Sequence, residues 1–187
     1  MSSTGRGTKR RIDDAYFTPA WAVDIILPHL PISGHVLEPS AGEGAILRSL
    51  HLFPSTTSAE SVTAVEIDPG RAETLRAQGL ASIIEADFLA MPRVASPFDL
   101  IIGNPPFSLV QKFVEASLAV LAPGGTCAML LRLAFLESSK RRRFHMAHPC
   151  EVNVLPRRPS FTGVGTDSAA YAWFVWGPER ANRWRVL

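Results

Sequence analysis

The sequence predicts an α/β protein with a doubly wound, mostly parallel sheet. Short apolar runs with strand character alternate with segments of helical periodicity, which is the pattern of linked β–α units. Three of these runs end in acidic residues, and ligands of open α/β sheets bind outside the carboxyl ends of the strands. With 187 residues, of which 47% are hydrophobic, the chain is long enough for one domain with a substantial core.

Apolar runs bounded by turn residues mark the strands. Five of them alternate with helical patterns, near residues 36–38, 62–67, 82–85, 98–103 and 125–132. Two later runs, residues 152–155 and 170–176, are separated by a connection rich in Pro, Gly and Ser, which predicts a terminal hairpin pair. Because Trp173, Phe174 and Trp176 follow the strand period, we expect them in the core.

Residues 36–44 read Val-Leu-Glu-Pro-Ser-Ala-Gly-Glu-Gly: a short strand, an acidic residue at its carboxyl end and a loop of small residues that opens a helix. The loop lacks the third glycine of a dinucleotide-binding fingerprint. Glu38 and Glu43 would repel a pyrophosphate, whereas Glu38 suits a ligand with a positive centre. Gly42 and Gly44 allow the backbone to approach a ligand closely. This pattern of charge fits S-adenosylmethionine.

Acidic residues also follow the next two strands. Glu66 is our candidate for binding ribose hydroxyls, because α/β nucleotide sites place a carboxylate at this distance downstream. After the third strand, Asp87 can accept a hydrogen bond from an adenine amino group while Phe88 packs on the ring. One such acid alone is more often a solvated loop residue or a helix cap. Three acids at successive strand ends predict a nucleoside-like ligand.

The tetrapeptide Asn104-Pro105-Pro106-Phe107 directly follows the fourth strand and is the candidate reaction centre. Proline fixes φ and removes the N–H donor, so the surrounding carbonyl groups point outward in fixed directions. The Asn104 carboxamide adds an acceptor and Phe107 adds a flat surface, which together suit a planar ligand with an exocyclic amino group. The alternative is a proline-rich turn without chemistry.

These motifs, in this order, resemble those of class I S-adenosylmethionine-dependent methyltransferases, specifically the DNA adenine-N6 family with an NPPF motif. Residues 16–19 (Tyr-Phe-Thr-Pro) resemble the family's contact with the methionine part of the cofactor. Residues 158–161 (Arg-Pro-Ser-Phe) resemble its target-base loop. The resemblance covers nearly the whole chain, and it implies a sheet of seven strands of which one is antiparallel.

The resemblance also implies roles for individual residues. The implied catalytic residues are Asn104, Pro105, Pro106 and Phe107, and the implied base-binding residues are Phe107, Arg158 and Phe161. The implied cofactor contacts come from every motif, namely Tyr16, Thr18, Pro19, Glu38, Ser40, Ala41, Gly42, Gly44, Glu66, Ile67, Asp87, Phe88 and Asn104.

The motifs are more specific for methylation of an amino group than for one substrate. Adenine in DNA is the substrate we expect, with the base flipped out of the duplex or already unpaired. Related enzymes with NPPY or NPPF methylate RNA adenine or a glutamine side chain, and a non-catalytic cofactor-binding module is a further alternative. Larger family members carry a separate target-recognition region, for which we expect no counterpart in these residues. We therefore expect a loose sequence preference or a separate specificity partner.

Basic residues cluster in three segments, although the net charge is only +2. The clusters lie in residues 6–11, in residues 140–143 and at Arg157 and Arg158. We expect residues 1–11 to form a flexible basic tail ahead of a single methyltransferase domain, residues 12–187. The two later clusters follow the fifth strand and predict a rim that contacts phosphate groups of a nucleic acid.

The Cys and His residues favour a reduced, cytoplasmic setting without a metal. Cys127 and Cys150 lack the spacing of a paired motif. His145 and His148 lie close to Cys150 in sequence, but no second cluster completes a metal site. We expect neither a signal peptide nor a membrane span, because the chain has no apolar run of the required kind.

Overall fold

The computed structural model describes residues 18–92, 97–161 and 165–187. The predicted basic tail and the predicted cofactor contact Tyr16 lie outside these residues. Within the described ranges, no helix has the length and apolar character needed to cross a membrane.

The described residues form one eight-stranded sheet. The strands are β1 (Gly34–Glu38), β2 (Ala59–Glu66), β3 (Ser82–Glu85), β4 (Phe98–Gly103), β5 (Leu121–Arg132), β6 (Glu151–Val154), β7 (Tyr171–Trp176) and β8 (Arg183–Val186). Their order is β3-β2-β1-β4-β5-β7-β6-β8. Strand β7 runs antiparallel to its neighbours β5 and β6, and the other neighbouring pairs are parallel. The predicted fold class is confirmed.

The sheet has one strand more than the seven expected. Strand β8 pairs in parallel with β6, with Trp184 opposite Val152. Its sequence signal is weak, because the strand has four residues, lies at the edge of the sheet and leaves Trp184 77% exposed. An edge strand without a buried face lacks the apolar alternation that identifies strands in a sequence.

Five α-helices in the described ranges connect or flank the strands. They are α1 (Ala20–Asp24), α2 (Ala45–Leu52), α3 (Pro69–Gln78), α4 (Val110–Ala119) and α5 (Arg142–Ala147). Helix α3 shows how local sequence sets a helix start: the Asp68 carboxylate accepts from the Arg71 N–H at 2.8 Å, and Pro69 occupies the first turn. Because the helix begins at Pro69, only two residues connect it to β2, and the start of α3 lies close to the end of β2.

Alternate side chains of the central strands fill the core on the two faces of the sheet. Val36 and Trp173 pack on the face that carries α1 and α2, whereas Leu37 and Phe174 pack on the face that carries α4 and α5. The Trp173 indole N–H donates to the Ala22 carbonyl at 2.6 Å. The three aromatic residues of β7 that were predicted to be core residues are buried, so that prediction is confirmed.

Candidate active site

A cavity of about 440 Å³ lies at the carboxyl ends of β1, β2, β3 and β4. This is where an open α/β sheet binds its ligands. Many of the predicted site residues line it, namely Thr18, Glu38, Ser40, Ala41, Gly42, Glu66, Ile67, Asp87, Phe88, Asn104 and Pro106. Other predicted residues do not line it, namely Pro19, Gly44, Pro105, Phe107, Arg158 and Phe161.

Glu66 joins the loop after β1 to the loop after β2. Its Oε2 atom accepts from the Gly42 N–H at 2.7 Å, and its Oε1 atom accepts from the Asp68 N–H at 2.9 Å. The side chain is 5% exposed. A carboxylate oxygen can accept more than one hydrogen bond, so Glu66 can shape both loops and still accept from a ligand hydroxyl. Binding of a ribose by Glu66 stays a prediction.

The two glycines of the loop after β1 are required for different structural reasons. Gly42 has a φ of +55° and donates to Glu66, so the left-handed backbone aims its N–H at the carboxylate. Gly44 has a φ of +79°, and a Cβ added there would come 2.7 Å from Leu75 Cδ2. Gly44 therefore allows α2 to begin close against α3, which is a packing role away from the cavity.

Glu38 is buried without a hydrogen-bond partner for one of its oxygens. The side chain is 2% exposed, and its Oε2 atom accepts no hydrogen bond in the described part of the chain. Burial raises the pKa of Glu38 well above its usual value, and the nearby charge of Glu66 raises it further. A positively charged or donor-bearing ligand in this cavity would favour the ionised carboxylate and supply the hydrogen bond that is absent.

Asn104 is held by a residue that precedes α1. Its Nδ2 atom donates to Thr18 Oγ1 at 3.0 Å, and its backbone carbonyl accepts from Ser40 Oγ at 3.4 Å. Its Oδ1 atom is buried and accepts no hydrogen bond among the described residues. An unsatisfied buried acceptor costs roughly 1–3 kcal/mol, so the site retains a group suited to a donor from outside the protein.

In the motif after β3, a nearby backbone N–H already uses one oxygen of the Asp87 carboxylate. The Asp87 Oδ1 atom accepts from the Leu89 N–H at 2.9 Å and caps a short 3-10 turn, Phe88–Ala90. The Phe88 ring is 8% exposed and lies 5.6 Å from the Phe113 ring. Both residues line the cavity, and their contacts with an adenine ring stay predictions.

The aromatic residues predicted to bind the base are packed against each other. The Phe107 ring lies 6.0 Å from Phe161 and 5.7 Å from Tyr171, measured between ring centroids. Phe161 is 4% exposed and belongs to the core, so in this conformation its faces are not presented at the surface. Arg158 is exposed. The predicted role of Phe161 as a second stacking platform would require it to leave this packing.

Sequence reasoning missed three residues at the start of α3 that line the cavity, Asp68, Pro69 and Arg71. The Arg71 Nη1 atom lies 3.7 Å from Glu66 Oε1, and Asp68 donates its N–H to the same oxygen. The helix-start signal of Asp68 and Pro69 could have placed them beside the Glu66 strand end. No group of three or more His, Cys, Asp or Glu side chains in the described ranges is arranged to hold a metal ion.

No known family model matches the chain. A tRNA (guanine(6)-N2)-methyltransferase from Thermus thermophilus is 31% identical over 131 residues, which cover 60% of this chain. The same match covers 38% of that relative, so this chain spans well under half of the length of the relative.

Solved structures resemble the chain over almost its whole length. One, assigned to the class I S-adenosylmethionine-dependent methyltransferases, comes from Listeria monocytogenes; the match has a TM-score of 0.73 at 17% identity and covers 96% of this chain and 68% of that one. Another is the methyltransferase subunit of a type I restriction-modification system from Streptococcus thermophilus, with a TM-score of 0.71 at 15% identity over 92% of this chain and 47% of that one. The chain has the class I methyltransferase fold.

Proposed function

We propose that this chain is an S-adenosylmethionine-dependent methyltransferase that acts on the exocyclic amino group of a nucleobase. The observation that carries the proposal concerns the Asn104 Oδ1 atom. It is a buried acceptor without a partner among the described residues, and Asn104 lines the cavity directly after the carboxyl end of β4. It lies in the same cavity as the unpartnered Glu38 oxygen. The site thus offers acceptors for two ligands, a cation-bearing cofactor and an amino group.

The residues of the cavity fit the cofactor. Glu38 would lie near a positive centre, Glu66 would accept from the ribose hydroxyls, and Asp87 and Phe88 would contact the adenine. When bound, the cofactor supplies a methyl carbon made electrophilic by the sulfonium. The carboxylate of Glu66 gives this end of the cavity negative character, and Glu38 adds to it once a cationic ligand favours its ionised form. Both effects favour a cationic ligand over a phosphate.

Asn104 and Pro105 would prepare the amino group for attack. The nitrogen lone pair of a nucleobase amine is delocalised into the ring, which makes the nitrogen a poor nucleophile. Acceptance of its two N–H bonds by Asn104 Oδ1 and the Pro105 carbonyl would stabilise the positive charge that develops on nitrogen in the transition state. It would also orient the lone pair towards the methyl carbon, and no strong base is needed. Pro105 does not line the cavity in this conformation, so its role requires its carbonyl to face the bound base.

Adenine-N6 in DNA is the first candidate for the amino group, because the NPPF motif resembles that of the DNA adenine enzymes. The base would leave the stack to reach the cavity, and Phe107 would pack on it. The exposed residues Lys140, Arg142, Arg143 and Arg158 would contact phosphate groups. With this substrate we also expect a cytoplasmic location and a separate partner that supplies sequence specificity.

Guanine-N2 in RNA is the second candidate, and the similarity to the tRNA methyltransferase favours it. Adenine-N6 and guanine-N2 are both amino groups on an aromatic ring, so two acceptors at Asn104 and Pro105 serve either one. RNA adenine and a protein glutamine amide carry the same donors and are further alternatives.

Incubation with radiolabelled S-adenosylmethionine and separate samples of duplex DNA, single-stranded DNA, tRNA, ribosomal RNA and protein extract tests the proposal. Mass spectrometry of the digested nucleosides distinguishes N6-methyladenine from N2-methylguanine. The Asn104→Ala variant is the control for contaminating activity. Label in protein alone, or label equal in the variant, would contradict the proposal.

A further inference from the structure

Arg132 lies at the end of β5, next to the NPPF segment. The last residue pair between β4 and β5 is Gly103 with Met129, and β5 continues for three more residues to Arg132. Arg132 therefore extends past the end of β4, where Asn104 begins the motif. The guanidinium carbon lies 4.5 Å from the centroid of the Phe107 ring, which places a cation over the aromatic residue of NPPF.

The guanidinium is also held by β7 and the loop that precedes it. Arg132 Nε donates to the Tyr171 hydroxyl at 2.9 Å, and Nη2 lies 3.3 Å from Asp167 Oδ2. The Tyr171 hydroxyl donates to the same Asp167 oxygen at 2.7 Å. Arg132, Asp167 and Tyr171 thus form a closed triangle of hydrogen bonds, which fixes the plane of the guanidinium.

Both carboxylate oxygens of Asp167 accept hydrogen bonds from groups of the protein. Its Oδ1 atom accepts from the Ala169 N–H at 3.0 Å and from Ser168 Oγ at 3.4 Å. Burial acts to raise the pKa of Asp167, but hydrogen bonds from Tyr171 and Ala169 and the charge of Arg132 outweigh it and lower the pKa below its usual value. Asp167 is therefore an ionised anchor, and its charge is shared among several donors.

The outer edge of the Arg132 guanidinium remains available. Its side chain is 43% exposed, and Nη1 has no hydrogen-bond partner in the described part of the chain. An oriented, half-exposed guanidinium fork is the side-chain geometry that binds a phosphate oxygen pair. Because the cation also covers Phe107, it determines from which side a planar group can reach that ring.

We propose that Arg132 is a substrate-positioning residue, which binds a backbone phosphate beside the nucleotide whose base enters the site. Asp167 and Tyr171 orient the fork for this contact. This inference rests on the proposed function, since it requires a phosphodiester substrate. A single phosphate contact next to Phe107 would place the base without reading its sequence.

The test measures binding of a fluorescein-labelled single-stranded oligonucleotide by anisotropy, with S-adenosylhomocysteine present, over a range of salt concentrations. Each phosphate contact contributes about −0.7 to the slope of log K against log salt for single strands. We expect Arg132→Gln to make the slope shallower by about that amount and to weaken binding by roughly tenfold at low salt. Arg132→Lys should keep the slope but lower kcat/KM, because it lacks the fork.

The matched control is Arg183→Gln, which removes an exposed arginine at the amino end of β8, away from the sheet edge that carries the cavity. It should leave slope and turnover unchanged. Asp167→Asn should keep the slope and raise KM, because Arg132 keeps its positive charge but its guanidinium is no longer held in a fixed orientation. Calorimetry with S-adenosylhomocysteine should give wild-type affinity for every variant and so show that each one is folded.

The possible results separate the two proposals. If the wild type binds cofactor but binds neither the oligonucleotide nor any nucleic acid of the methylation test, both the nucleic-acid substrate and the Arg132 contact are wrong. If the wild type binds and methylates nucleic acid and Arg132→Gln retains its salt slope and KM, only the role of Arg132 is wrong.

Discussion

The side-chain amide of Asn104 donates to the Thr18 hydroxyl at 3.0 Å, across 86 positions of sequence. This contact joins the residue after β4 to the segment before α1. With Nδ2 engaged by Thr18, Oδ1 is the atom that stays without a partner among the described residues. In this orientation the carboxamide is fixed by Thr18 and its oxygen faces the site.

Removal of the Thr18 hydroxyl should impair turnover more than cofactor binding. In Thr18→Val the Asn104 amide loses its orienting partner, and we expect kcat to fall by roughly tenfold. Thr18→Ser keeps the hydroxyl and is the matched control, with kcat close to that of the wild type. Equal activity in Thr18→Val and Thr18→Ser would show that this hydrogen bond has no part in the reaction.

Loss of the Asn104 side chain should lower turnover by on the order of a hundredfold or more, because a preorganised acceptor for the developing charge is removed. Cofactor affinity should stay nearly unchanged. Single-turnover methyl transfer measures the first quantity and calorimetry the second. Retained methyl transfer in Asn104→Ala would disprove the proposed mechanism.

Glu66→Ala should weaken cofactor binding by at least tenfold, because the carboxylate holds the Gly42 and Asp68 backbone as well as the predicted ribose contact. Glu85→Ala, at the end of the adjacent strand, is the control: Glu85 is 41% exposed and pairs with Arg76 at the surface. We expect it to bind normally. Wild-type affinity in Glu66→Ala would show that the assignment is wrong.

The stability of the cofactor-free protein should fall as pH rises, in part because of Glu38. The unfolded carboxyl titrates near 4.5 and the pKa of the folded group lies well above it, so the folded state binds the extra proton between those values. The contribution of Glu38 to the unfolding free energy is therefore fully present below the pKa of the unfolded state. It is lost as the pH rises through the pKa of the folded state. Glu38→Gln should therefore flatten the curve of unfolding free energy against pH, measured in urea. An unchanged curve would contradict the burial argument.

Cofactor binding should release a proton from Glu38, since a cationic ligand favours the carboxylate. Calorimetry of S-adenosylmethionine binding at several pH values above 4.5, in buffers with different ionisation enthalpies, counts that proton. The heat should depend on the buffer for the wild type and should depend on it less for Glu38→Gln. Identical buffer dependence in both proteins would exclude Glu38 as the source.

Neutralisation of Lys140, Arg142 and Arg143 together should weaken nucleic-acid binding about equally for different sequences, because phosphate contacts carry no base information. Arg141 is excluded from this variant, since it donates to the carbonyls of Ala134 and Glu137 and stabilises the turn before α5. Anisotropy with several oligonucleotides measures the effect. A loss confined to one sequence would indicate base recognition by this segment instead.

The sequence by itself determined the fold class and the position of the candidate site. Buried parallel strands must be apolar, and their carboxyl ends must share one edge, so the runs that end at Glu38, Glu66 and Gly103 could be placed together without coordinates. The exposed strand β8 has no such constraint, and for that reason it was missed.

Tertiary structure decided what each site residue contacts. The pairing of Asn104 with Thr18, the packing of Phe161 against Phe107 and the triangle at Arg132 join residues far apart in the sequence. Sequence patterns report periodicity and local turns, whereas these contacts depend on which strand ends the sheet order places side by side. The free edge of Arg132 and the unpartnered oxygens of Glu38 and Asn104 could be recognised only after the other hydrogen bonds of the described residues had been assigned.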